Sequence, residues 1–76
     1  MLSVNSGGRI RVVVDIFGRE VRELSLAEGA TVVDLLNLIG FKASEVVVAV
    51  DGEVVAEDEP LRDGSRVKLH SVVSGG

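Results

Sequence analysis

The sequence predicts an α+β domain in which one helix packs on a mixed sheet of four to five strands, in the order strand, strand, helix, strand, strand, strand. Three observations lead there. Residues 10–17 and 45–50 are rich in valine and isoleucine, the first with strict in-out alternation. Between them, Val32, Leu35, Leu36 and Ile39 recur at three- and four-residue spacing. Asp51-Gly52 and Asp63-Gly64 then punctuate the second half as tight turns. With 76 residues, 46% of them hydrophobic, the chain holds one small core and no second domain.

In the first strand Ile10, Val12, Val14 and Ile16 face one side and Arg11, Val13 and Asp15 the other. Gly18-Arg19 turns the chain into residues 20–26, whose charged character suits a sheet edge. Thr31 opens a helix of about nine residues, placed to cap the amide of Asp34, whose own carboxylate stands at the positive end of the helix dipole. Gly40 falls where a left-handed cap closes it. Residues 41–44 lead to the β-branched run 45–50, expected as a central strand, and Asp51-Gly52 turns it into Glu53-Val54-Val55. An acidic connection, Glu57-Asp58-Glu59-Pro60, precedes Leu61, which dips toward the core. The last strand, residues 66–73, points Val67 and Leu69 inward and Lys68 and His70 outward. The chain thus divides into a flexible leader (1–9), a folded domain (10–73) and a flexible Ser-Gly-Gly tail (74–76).

Composition excludes several functions. Eight basic residues against twelve acidic ones, a net charge of -4, leave no dense cationic field for a nucleic-acid backbone. No run of residues is long and apolar enough for a membrane span, and the start lacks a signal-peptide pattern, so a cytoplasmic protein is expected. The chain has no cysteine, hence no disulfide and no thiol nucleophile. A lone histidine, His70, makes neither a relay nor a metal site and reads as a solvent-side strand residue. Glu57, Asp58, Glu59 and Asp63 lack the spacing of a calcium loop, and Gly7-Gly8 is neither preceded by a strand nor followed by Gly-Lys-Ser. No resident metal or cofactor, and no catalysis by the chain itself, is expected.

What remains is the end, Val72-Val73-Ser74-Gly75-Gly76. Two glycines without Cβ atoms can enter a narrow channel and carry the terminal carboxylate into another protein's active site. A glycine pair alone says little, but as the last two residues after this order of elements it says much more. The stretch 28–36 (Glu-Gly-Ala-Thr-Val-Val-Asp-Leu-Leu), the hairpin 48–55, the turn 61–67 and this ending together resemble the ubiquitin-like β-grasp family. Within it, the resemblance is to the ThiS and MoaD sulfur carriers and the small archaeal ubiquitin-like modifiers.

That resemblance implies a β-grasp fold and a working residue, Gly76, preceded by Gly75. It further implies a ubiquitin-activating-type adenylating enzyme that uses ATP and magnesium, held in the partner, to turn the terminal carboxylate into an acyl adenylate. The product is either a thiocarboxylate that feeds a sulfur-accepting biosynthetic enzyme or an isopeptide bond to lysines of target proteins. The MoaD-like ending usually carries an aromatic residue and prolines, absent from residues 69–73 here, which favours a thiamin or tRNA-thiolation type over molybdopterin. A third reading, of another class, is a β-grasp adaptor whose tail is never activated. The resemblance also implies a docking sheet face. If Val46, Val48 and Val50 face the helix, Val47 and Ala49 face out beside His70 and Val72, with Val73 next to them and Val13 as a possible neighbour. The net negative charge suggests a basic partner surface. Only Lys42 and Lys68 could accept a second copy.

Overall fold

A computed structural model describes residues 8–72. Val73 of the expected docking face, the tail Ser74-Gly75-Gly76 and residues 1–7 of the expected leader lie outside the described residues. The elements are β1 (Arg9–Ile16), β2 (Glu20–Ala27), α1 (Val32–Ile39), a 3-10 turn (Ala43–Glu45), β3 (Val46–Val50), β4 (Glu53–Val55) and β5 (Arg66–Ser71). They form one five-stranded mixed sheet in the order β2-β1-β5-β3-β4. β1 and β5 are parallel and every other pair is antiparallel.

The alternation in β1 has its physical reason in this sheet. Ile10, Val12, Val14 and Ile16 are buried against α1, where Val32, Leu35 and Leu36 close the core with Leu26, Val46, Val48, Leu61, Val67 and Leu69. The helix is held at both ends. The Asp34 carboxylate accepts the Thr31 backbone N–H at 2.9 Å and its hydroxyl at 3.2 Å, and Gly40 closes the C-terminus in the left-handed region (φ 89). The acidic connection does more than the sequence suggests. Its side chains are exposed, but the Glu59 and Glu57 carbonyls accept the first helical amides, those of Val32 and Val33, at 2.9 and 2.8 Å.

Three boundaries differ from the sequence reading. Arg9, placed in the leader, begins β1 opposite Ala27, and the Gly8 carbonyl accepts the Glu28 N–H at 2.8 Å. The run expected as the central strand, β3, lies second from one edge, and β5 takes the middle. The parallel β1–β5 pairing behind that swap joins chain ends that no local pattern connects. The last strand ends at Ser71, with Val72 still tied by its N–H to the Glu45 carbonyl at 3.4 Å.

Candidate functional site

The strand that precedes the tail is anchored along both of its edges. β5 hydrogen-bonds to β1 on one side and β3 on the other, and its inward residues Val67 and Leu69 are 2% and 0% exposed. Two turns brace its ends. At the start, the Asp51 N–H donates to the Arg66 carbonyl at 2.8 Å and the Asp51 carboxylate accepts the Arg66 N–H at 3.0 Å. Asp51 and Gly52 both have positive φ (51 and 90), the geometry of a two-residue hairpin. At the far end, the Phe17 N–H donates to the Leu69 carbonyl at 3.2 Å. Phe17 itself sits in the left-handed region (φ 57), and its ring meets that of Phe41 edge-on at 5.4 Å. The last described residue, Val72, therefore stands between the β1–β2 turn and the 3-10 turn. From there residues 73–76 can extend at most about 14 Å.

The sheet face away from the helix is assembled by register. Val13 stands between Glu23 and Arg66, Asp15 between Val21 and Lys68, and Ala49 between Lys68 and Val54, while Val47 faces His70. The structure thus brings Val47 and His70 together as expected, with Val72 exposed and Val47 half-buried. Ala49 departs from expectation. It lies on this face but is only 9% exposed, because its short side chain sits between the longer ones of Lys68 and Val54. Val54 and Val21, at 73% and 66% exposure, are the large apolar side chains that sequence reasoning missed here. Strand order was the missing signal, since β2 and β4 are the two edges. Both candidate acceptors, Lys42 and Lys68, are exposed.

Charge is segregated in a way that overall composition conceals. The face carries four cations, Arg9, Arg11, Arg66 and Lys68, against three carboxylates, Asp15, Glu23 and Asp51. The other four cations share the rest of the molecule with nine carboxylates. Arg11 pairs loosely with Glu23 at 3.9 Å, Arg9 binds the Ser25 hydroxyl and carbonyl, and the Asp15 carboxylate accepts the Gly18 N–H at 2.9 Å. Arg66 and Lys68 have no ion pair among the described residues. Both line a shallow hollow of about 700 Å³ with Val13, Asp15, Val21, Ala49 and Asp51. The expectation of a basic partner surface comes from net charge, which does not say where the carboxylates lie: nine of the twelve stand off this face. No cluster of metal-ligating side chains occurs among the described residues, and no helix there is long and apolar enough to cross a membrane.

Comparison with known proteins agrees with this architecture. The ThiS family profile matches residues 11–76. Small archaeal modifier protein 2 of Haloferax volcanii is 33% identical over 67 residues, covering 88% of this chain and all of the relative. Among solved structures, the putative molybdopterin converting factor, subunit 1, of Pyrococcus furiosus superposes with a TM-score of 0.70 at 30% identity, covering 84% of this chain and 99% of its own. Caldiarchaeum subterraneum ubiquitin superposes at 0.67 with 19% identity, over 91% of this chain and 100% of its own, which establishes the ubiquitin-like β-grasp fold.

Proposed function

The chain belongs to the ThiS family, and from that premise we propose that it is a ubiquitin-like sulfur carrier whose Gly76 carboxylate is adenylated by a partner enzyme and converted to a thiocarboxylate. The observation that carries the reading is a family match that runs through the Gly75-Gly76 end. The chemistry follows from the acyl group. A carboxylate is a poor acyl donor because oxide would have to leave. Its oxygen attacks the α-phosphorus of ATP, pyrophosphate departs, and the resulting mixed anhydride has AMP as a good leaving group. A sulfur nucleophile supplied by the partner system then attacks the acyl carbon, and AMP leaves.

The chain's own part is to present the tail. β5 is fixed along both edges, and the glycines bring no side chain to obstruct a narrow channel. ATP and magnesium belong to the partner's site. The sheet face carrying Val47, His70 and Val72 docks on the adenylating enzyme in the cytoplasm, and the sulfur goes to a biosynthetic enzyme of the thiamin or tRNA-thiolation type. A second reading, conjugation of Gly76 to lysines of target proteins, is supported by the 33% identity to a relative named as a modifier. ATP–pyrophosphate exchange with the adenylating enzyme from the same cell tests both readings. Exchange should require this chain and disappear when one residue is added after Gly76. Exchange that ignores the added residue, or none with the native chain, would leave only the adaptor reading.

A further inference from the structure

We infer that the outer sheet face recognises an acidic protein surface, with Arg66 and Lys68 receiving carboxylates of the adenylating partner above the apolar floor formed by Val13 and Ala49. The inference rests on the carrier reading for the partner's identity and goes beyond it in stating that partner's chemistry. It reverses the expectation that follows from a net charge of -4.

Three features of the face argue for it. Arg66 and Lys68 are exposed, stand on one strand two residues apart, and lack an ion pair among the described residues. The two carboxylates beside them are directed to backbone amides rather than to the cations: Asp15, opposite Lys68, accepts the Gly18 N–H at the hairpin turn, and Asp51, beside Arg66, accepts the Arg66 N–H. The two cations line one hollow with Val13, Val21 and Ala49 and with the carboxylates of Asp15 and Asp51, so an incoming carboxylate meets the guanidinium and ammonium over a partly apolar floor, where its attraction is screened less than in open water. Nucleic acid is a poorer fit for the same face. It carries Asp15 and Glu23 among its cations, and both phenylalanines of the chain are paired with one another at the turn rather than offered for base stacking.

Charge complementarity acts chiefly on association rate and on its salt dependence. Binding of the chain to its adenylating enzyme, followed by surface plasmon resonance at several ionic strengths, therefore reads the inference directly. The double variant Arg66→Glu/Lys68→Glu should weaken binding by at least about tenfold, mainly through the on-rate, and flatten the salt dependence. The milder Arg66→Gln/Lys68→Gln, which keeps the apolar stems, should fall between the two, and circular dichroism confirms that each variant is folded. Arg19→Glu/Arg62→Glu changes net charge equally but away from the face, and should alter affinity by less than about threefold. Equal weakening by the two Glu doubles would show that only net charge matters and overturn the inference. Native-like binding by Arg66→Glu/Lys68→Glu would overturn it while leaving the carrier reading intact. A native chain that fails to bind the enzyme at all would overturn both.

Discussion

Leu69 is where the sheet, the helix and the tail-bearing strand meet, and truncating it tests whether β5 is anchored as described. Its side chain is fully buried, with Ile16 opposite it on β1 and Val48 opposite it on β3. Leu69→Ala removes three carbons' worth of buried surface, about 2 kcal/mol of transfer free energy, and leaves a cavity that neighbours on three sides cannot collapse into. Together these give a loss of about 3–4 kcal/mol. A domain of this size has roughly 4–11 kcal/mol in total, so the variant should lose roughly 12–32 °C in Tm and stays folded in buffer only where the parent lies above the low end of that range. The chain has no Trp or Tyr, so urea and thermal unfolding are followed by far-UV circular dichroism. Leu69→Met, which conserves volume, should cost less than about 1.5 kcal/mol. A loss below about 1 kcal/mol for Leu69→Ala, or equal losses for the two variants, would refute the packing argument.

Three further outcomes follow from local geometry, each read by the same unfolding assay. Asp34→Ala removes the carboxylate that accepts the Thr31 amide and hydroxyl, and should destabilise by about 1 kcal/mol. Asp51→Ala loses both tolerance of the left-handed region and the acceptor for the Arg66 N–H, and should cost about 1–2 kcal/mol, whereas Asp51→Asn should stay within about 0.5 kcal/mol of the parent. Phe17→Gly relieves left-handed strain worth about 1–2 kcal/mol and forfeits a ring pair worth about 0.5–1.5 kcal/mol. The net should lie within about 1 kcal/mol of zero, and a loss above about 2 kcal/mol would show that the ring does more than pair with Phe41.

Periodicity made the individual elements legible. Alternation in β1, the apolar stripe of α1 with Gly40 behind it, and the Asp51-Gly52 hairpin are all governed by neighbours within a few residues, and all appear in the structure. Pairing between distant segments was not legible. Nothing local says that β5 inserts beside β1, and from that single pairing follow the middle position of β5, the edge exposure of Val21 and Val54, and the gathering of Arg66 and Lys68 over Val13. Ala49 shows the same limit at one residue. Its direction could be read from the strand period, but its burial depends on the lengths of the side chains that register places beside it. The gathering of cations on the sheet face was not legible for the same reason, because net charge carries no positions.

The most direct test of the central claim is top-down mass spectrometry of the protein isolated from its own cells, with C-terminal fragments sequenced and lysine adducts searched in parallel. The sulfur-carrier account predicts replacement of one oxygen by sulfur, located at Gly76, which fragment sequencing must separate from the nearly isobaric oxidation of Met1. Because trypsin has no site after Lys68, the modifier reading predicts that target lysines carry residues 69–76 rather than a bare Gly-Gly remnant. A terminal carboxylate that stays unmodified in the cell, and unchanged when adenylating enzyme, ATP and a sulfur donor are supplied, would contradict the account.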